Sequence, residues 1–524
     1  MKEKQKTSCE RLFADLENAR AINEENLRII LSDNRDTAFG REHGFSGISS
    51  PEEYAEKIAL SDYSLYEGRI TKPGEFTAYP FEDFLATSGS TGVQKIFPLT
   101  KEALGRYSSY VHDLPYYLTD TAGPAIHTSV FRSAQNGLNI LSAAYFRWLC
   151  RSGEADFSRF VGGSELLFSD EAYDVPYLKT RLMFSCPELE AIQSIYIYDV
   201  AMLFAWMEEN WRGVISDMRS GTVSANLGES VKKALLALTP PEAVIDRIER
   251  GLSEGFDTPV LPRLWKNIRF VCGVGGKMYS ASEQQLCRYI GNVPVYQFSY
   301  ALSECIIAPA IEMTNAHYVL LPRSAYYEFL TKEGEEPIPF GDIRIGEEYE
   351  LVITTFSGLY RYRTGDLIKI IRFEKEAPVI ELVGKRKLLL DVAGEKTDAP
   401  TAEAAVRGLG ETFGFTFADF GIGVNYDRTP NGYRVFIEKD GDDGGADPVV
   451  PGSAECFDEQ MKKLSPDYED LRSLGLLGLP EVYFVRRGEI AESLRAMGIL
   501  SHSKPQVFFK PFRTDFLMER IRNR

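Results

Sequence analysis

The stretch FLATSGSTGVQKIFPLT, residues 84–100, runs from a short apolar segment through a loop of hydroxyls and glycines to a lysine. Gly89 and Gly92 permit backbone angles that turn amide N–H groups toward one point. Thr87, Ser88, Ser90 and Thr91 add side-chain donors, and Lys95 adds a point charge. That combination suits a polyphosphate. Taken by itself, the same composition also makes a polar surface turn. The Walker pattern GxxxxGK[ST] is met neither here nor in GVGGKM, residues 273–278, and the latter also fails GxGxxG.

Outward from this loop the chain alternates helical and strand patterns. Residues 7–60 read as helices, with Thr7 and Glu10 at capping-box spacing and Leu27, Ile30 and Leu31 at helical period. In YDVAMLFAWMEENWRGVISDMRSG, Val200, Leu203, Met207, Trp211, Val214 and Met218 form one stripe, and Gly221 is placed to stop the helix. NIRFVCGV (267–274), VPVYQFSY (293–300) and YELVITTF (349–356) read as strands. The alternation predicts an α/β architecture. After residues 381–400, ELVGKRKLLLDVAGEKTDAP, the pattern changes to a helix, the hairpin-like GIGVNYDRTPNGYRVFIE and an acidic glycine loop at 441–447 that reads as a surface connection. A domain boundary is therefore placed near Gly384, giving domains of 1–383 and 384–524.

Composition narrows the classes of function. With 44% hydrophobic and 26% charged residues the chain has the make-up of a globular protein, and its 524 residues call for more than one core. A net charge of -17, with no basic cluster, disfavours nucleic-acid and anionic-membrane partners. Seven scattered cysteines without CxxC spacing indicate neither a disulfide framework nor a zinc site, and the five histidines show no metal spacing. Acidic residues interrupt the first segment before any signal-like apolar stretch, and no run approaches the roughly 18 apolar residues of a membrane helix. A soluble cytoplasmic protein is expected.

Two further motifs carry chemistry. In YALSEC, residues 300–305, Tyr300 could lay its face on a planar base, and Glu304 could offer oxygen to magnesium. Each also reads as an ordinary core tyrosine and an exposed glutamate. In SGLYRYRTGDLIKI, residues 357–370, Gly365 fits a tight turn and Asp366 has two acceptor oxygens for the hydroxyls of a ribose. Arg361 and Arg363 could meet a phosphate or a carboxylate bidentately. Alone, TGD is a common turn.

The order of the motifs says more than any one of them. A hydroxyl-glycine loop, then YALSEC, then GLYRYRTGD, then a basic GKRK hinge resembles the adenylate-forming superfamily. Within it the chain is most similar to the Gretchen Hagen family of acyl acid amido synthetases. That resemblance rests on YALSEC, GLYRYRTGD, AMLFAWMEENWRGVISDMRSGTVS, LWKNIRFVCGVGGKM and LLLDVAGEKTDA, and spans nearly the whole chain.

The resemblance implies a large adenylation domain of mixed sheets flanked by helices, with a β-barrel-like part, and a small mobile α+β domain at the C-terminal side. It implies ATP and Mg2+, with an acyl acid and an amine or amino acid as partners. By matching position, Thr87, Ser88, Gly89, Ser90, Thr91, Gly92 and Lys95 would meet ATP phosphates, and Gly276 and Met278 would lie beside the nucleotide. Tyr300, Ala301, Leu302 and Ser303 would line the adenine and phosphate region. Glu304 would bind magnesium, Asp366 the ribose, and Lys385 or Arg386 would sit at the hinge. A late lysine, Lys504 with Lys510 as competitor, would approach the phosphate, although SHSKPQVFFKPFR departs from the usual lysine-proline-arginine pattern. His127, Arg132 and Asn136 would line the acyl pocket; they read equally as a helix surface with one buried polar contact. Two rivals stay open: transfer to coenzyme A or a carrier thiol, and a non-catalytic nucleotide-binding homologue.

Overall fold

The computed structural model describes residues 3–86, 95–107, 110–132, 138–275, 286–331, 336–385, 389–390, 392–393, 395, 397–441, 448–495 and 507–523. Among the described residues the chain divides into two compact units, the first reaching Val383 and the second beginning at Gly384.

The first unit has, among the described residues, two two-stranded sheets and two larger ones on which it is built. One has four parallel strands in chain order: Ala125–His127, Ala191–Tyr196, Phe270–Val274 and Val295–Tyr296. Parallel neighbours need crossovers, and helices such as Leu141–Ser152, Val175–Ser185 and Ile197–Ser220 provide them. Its strands are apolar on both faces, as a sheet covered on both sides requires. Ile126, Ile192 and Val271 pack into one cluster with the helix Ile197–Ser220, whereas Ala191, Phe270 and Cys272 face a second cluster. That helix buries the whole expected stripe from Val200 to Met218 and ends at Gly221, whose left-handed φ of 65° a side chain would strain.

The other sheet has six strands in the order Ile338–Pro339, Ala325–Thr331, Glu348–Thr355, Tyr362–Glu374, Ala377–Lys385 and His317–Val319. It is open: the barrel-like part expected from the resemblance is not closed among the described residues, because Ile338–Pro339 and His317–Val319 stand at opposite edges. Its core joins the helices near the chain start. One of these helices, Glu3–Leu16, runs through Thr7, so the capping-box reading of Thr7 and Glu10 is overturned. Residues before Thr7 also have helical character, and a hydroxyl three residues ahead of a glutamate does not by itself start a helix. The segment 293–300 forms two short strands, Val295–Tyr296 and Ser299–Ala301, rather than one.

The second unit is a four-stranded sheet ordered Glu481–Val485, Gly432–Lys439, Phe417–Asn425 and Phe508–Phe509. The expected hairpin is its antiparallel centre, and the two flanking pairs are parallel. Ile422, Val435 and Phe484 pack one face with the helices Ala399–Phe413 and Ser453–Leu464; Phe436, Val485 and Phe509 pack the other with Leu517 and Met518. Gly421 has no side chain because the Phe509 ring fills that space.

In this unit the buried Glu438 carboxylate accepts the backbone N–H groups of Gly488 at 2.9 Å and Ile490 at 2.7 Å. Burial, then the neighbouring Asp419 carboxylate, push its pKa up to about 8 from 4.5. The folded chain thus holds the Glu438 proton more tightly than the unfolded chain. The stability this contributes is full below about 4.5 and lost as pH rises through about 8. Resistance to urea unfolding should fall as pH rises across that window, and Glu438→Gln should flatten the dependence.

Candidate active site

The YALSEC segment follows the carboxyl end of a parallel strand, where open α/β sheets bind ligands. The last parallel strand, Val295–Tyr296, leads into Ser299–Ala301, which pairs with Ile306–Pro309 in a tight hairpin. Leu302 N–H donates to the Cys305 carbonyl at 2.9 Å and Cys305 N–H donates back to Leu302 at 3.2 Å. Those two bonds close a turn with Ser303 and Glu304 at its tip, and both are partly exposed.

Tyr300 points the other way, into the core. Its phenol donates to Asp366 Oδ2 at 2.6 Å, and both residues are buried. Burial, then the Asp366 charge, hold the Tyr300 pKa well above the usual tyrosine value, so the phenol stays a donor. Tyr300 and Asp366, expected at base and ribose, are thus bonded to each other across 66 positions of sequence.

Asp366 is aimed by a bulge. Along the pair Glu348–Thr355 and Tyr362–Glu374, Val352 faces Arg363 but Glu350 faces Leu367, so Thr364, Gly365 and Asp366 together oppose Leu351. Gly365, at φ 73°, makes the left-handed step inside this strand rather than in a separate turn. Thr364 Oγ1 donates to the Leu351 carbonyl at 2.8 Å, which pins the bulge.

The next residue group joins two motifs. Tyr362 Oη donates to Glu304 Oε1 at 3.2 Å and accepts from Lys95 Nζ at 3.4 Å. Lys95 also lies 5.4 Å from the Tyr63 ring centroid, a cation–π distance. Lys95 immediately precedes the strand Ile96–Thr100, which pairs antiparallel with Phe81–Ala86. Burial, then Glu304, push the Tyr362 phenol far up, so it too remains protonated. Tyr362 carries no role in the sequence reading. Its signal was its place in the quoted GLYRYRTGD, between two arginines that drew attention as anion binders.

Those arginines meet carboxylates of this chain. Arg361, at φ 43° and 2% exposed, donates from Nε to both Glu328 oxygens at 3.2 Å. Its Nη1 donates to the Ala55 and Ile58 carbonyls at 2.8 Å each. Arg363 spans Glu350 with bonds of 3.1 and 2.7 Å. Around them, Ser61 N–H donates to the Arg361 carbonyl and Arg363 N–H to the Ser61 carbonyl, both at 2.9 Å. The backbone bearing Tyr362 is therefore held from both sides.

The acyl-pocket candidates separate. His127 ends the strand Ala125–His127, buried, with its Nδ1 accepting Ser129 N–H at 3.1 Å and its ring 5.0 and 5.1 Å from those of Phe131 and Phe146. Arg132 is exposed and donates to the Ala172 carbonyl. Lys510 caps the helix Pro511–Arg522, and partial burial lowers its pKa. Thr87, Ser88, Gly89, Ser90, Thr91, Gly92, Asn136, Gly276, Met278, Arg386 and Lys504 lie outside the described residues; Lys385 ends the strand Ala377–Lys385.

The sequence matches the GH3 family N-terminal domain over residues 9–295, the GH3 family central domain over 318–385 and the GH3 family C-terminal domain over 401–502. A jasmonoyl–L-amino acid synthetase of Oryza sativa subsp. japonica is 26% identical, covering 98% of this chain and 97% of its own. A probable indole-3-acetic acid-amido synthetase of Arabidopsis thaliana is 24% identical, with 91% and 86% covered. Among solved structures, an acyl acid amido synthetase in complex with 2,4-DB superposes with a TM-score of 0.83 at 22% identity, covering 98% of this chain and 96% of that one. A 2-hydroxyisobutyryl-CoA ligase in its postadenylation state shares the fold at a TM-score of 0.52 and 12% identity, with 98% and 92% covered.

Removing one partner of a buried ion pair leaves the other charge uncompensated, at a cost of about 3–5 kcal/mol. Glu328→Ala should accordingly destabilise the first unit by about that amount, read as a shift in the denaturant midpoint.

Proposed function

The chain belongs to the GH3 family, the Gretchen Hagen acyl acid amido synthetases, and on that premise we propose that it is an ATP-dependent acid–amino acid ligase that works through an acyl-adenylate. The observation that carries this reading is the convergence of the loop lysine, the YALSEC glutamate and the TGD aspartate on two tyrosine bridges, Lys95–Tyr362–Glu304 and Tyr300–Asp366. Each bridge joins motifs far apart in sequence.

The chemistry is set by charge. A substrate carboxylate attacking the α-phosphate of ATP meets like charge, and the barrier falls when cations and donors are fixed where negative charge gathers. Lys95 and the hydroxyl-glycine loop 87–92 serve the phosphates. Asp366, buried against Tyr300, serves the ribose hydroxyls as acceptor. A magnesium ion would supply further neutralisation at the phosphates. The residue present fits it: Glu304 offers carboxylate oxygen, a hard donor, at a partly exposed turn tip. Magnesium commonly takes one or two carboxylates and completes its shell with water and substrate phosphate.

Pyrophosphate leaves as the acyl-adenylate forms. An amino acid amine then attacks the acyl carbon, the C–O bond to AMP breaks, and the amide forms with loss of a proton from nitrogen. Rotation about the Gly384–Arg386 hinge, bringing Lys504 to the phosphate in the first step and the acceptor in the second, belongs to this reading. The family and the amino acid synthetases among the relatives favour an amine over a thiol acceptor. No described helix is long and apolar enough to cross a membrane.

Pyrophosphate release should require an acyl acid, and mass spectrometry of reactions with an amino-acid mixture should find an amide; coenzyme A thioester instead would overturn the acceptor. Glu304→Ala should abolish release. Asp366→Ala should raise the KM for ATP at least about tenfold, a loss of about 1.4 kcal/mol, and an unchanged KM would remove it from the ribose.

A further inference from the structure

Tyr362 sits between the two charged residues that the proposed reaction needs most, and both of its side-chain hydrogen bonds to them reach outside its own strand. Its phenol has one proton. Lys95 Nζ can only donate, so the Tyr362 oxygen accepts from it at 3.4 Å, and the phenolic proton is then committed to Glu304 Oε1 at 3.2 Å. The direction of both bonds is thus fixed by chemistry. The ring is fixed by packing: it is buried, edge-on to Tyr66 and to Phe97 at centroid distances of 6.0 and 6.1 Å. The backbone is fixed by Ser61 and by the buried Arg361 next to it.

A rigid hydroxyl bonded to both the Lys95 ammonium and the Glu304 carboxylate limits where each can go. Lys95 carries a four-carbon stem and Glu304 stands on a turn tip, so ordering either side chain costs rotamer entropy that a fixed partner offsets. We propose that Tyr362 is a positioning residue for ATP activation, its hydroxyl orienting the Glu304 carboxylate toward the metal and the Lys95 ammonium toward the phosphates. The inference rests on the reading of Glu304 as the magnesium carboxylate. Tyr362 does not act on the reacting atoms; it holds the carboxylate that would bind the metal, and partners of metal-binding carboxylates influence metal affinity about 10–100-fold.

The test is Tyr362→Phe, which keeps the ring and removes only the hydroxyl. Binding of Mn2+ together with a non-hydrolysable ATP analogue, read by electron paramagnetic resonance, should weaken about tenfold. The magnesium concentration giving half-maximal pyrophosphate release should rise similarly, and the KM for the acyl acid should stay constant. Glu304→Gln and the double variant separate the possible failures. If Tyr362 acts through Glu304, the double variant binds Mn2+ no more weakly than Glu304→Gln alone, whatever either change does to thermal stability. Unchanged metal affinity in Tyr362→Phe, with weakened affinity in Glu304→Gln, would overturn this inference alone. Unchanged affinity in Glu304→Gln would overturn the reading of Glu304 and the inference with it. Equal losses that add in the double variant would assign Tyr362 a role independent of the carboxylate.

Discussion

The ion pair between Arg361 and Glu328 is the constraint on which the geometry of the site depends. A guanidinium buried to 2% exposure needs its charge answered, and here Glu328 supplies the counter-charge and accepts from Nε while Ala55 and Ile58 accept from Nη1. These partners belong to a strand and to the segment at the end of an N-terminal helix. Satisfying Arg361 therefore draws the N-terminal region onto the six-stranded sheet. It also places Arg361 in the left-handed region, at φ 43°, which only surrounding structure can impose on a residue with a side chain.

From that anchor the adjacent positions acquire their directions. Tyr362 turns toward Lys95 and Glu304, Arg363 turns back to Glu350, and the bulge at Gly365 swings Asp366 onto Tyr300. Within these six consecutive residues, Arg361, Arg363, Thr364 and Gly365 hold the scaffold, while Tyr362 and Asp366 bond to groups from other motifs. The division is physical: the two arginines have internal carboxylates close enough to pair with, whereas Tyr362 and Asp366 are reached by groups from other motifs. Both tyrosines stay protonated because burial and a nearby carboxylate each disfavour the phenolate, and so each can hold an anionic neighbour in place.

Much of the fold was legible before the structure. The long amphipathic helix with its glycine stop, the strand at 349–356 and the hairpin after residue 421 all follow from local period and turn chemistry. Thr7 shows the limit of such local rules, since a cap spacing inside a longer helix looks the same as one at its start. The open six-stranded sheet shows another: whether edge strands meet depends on twist and stagger summed over the whole sheet, which no single strand encodes.

In the site, residue type and order by themselves determined the chemistry available: a lysine behind a hydroxyl-glycine loop, a glutamate in YALSEC and an aspartate in TGD are charges and donors wherever they are placed. Only the tertiary structure decided which of them share a hydrogen bond, and that Arg361 and Arg363 spend their charge inside the protein while Tyr362 links Lys95 to Glu304. Lys95 and Tyr362 are 267 positions apart, and Tyr362 and Glu304 are 58 apart. Side-chain chemistry is a property of each residue alone, but contact over such separations is a property of packing, and packing is settled by every buried group at once.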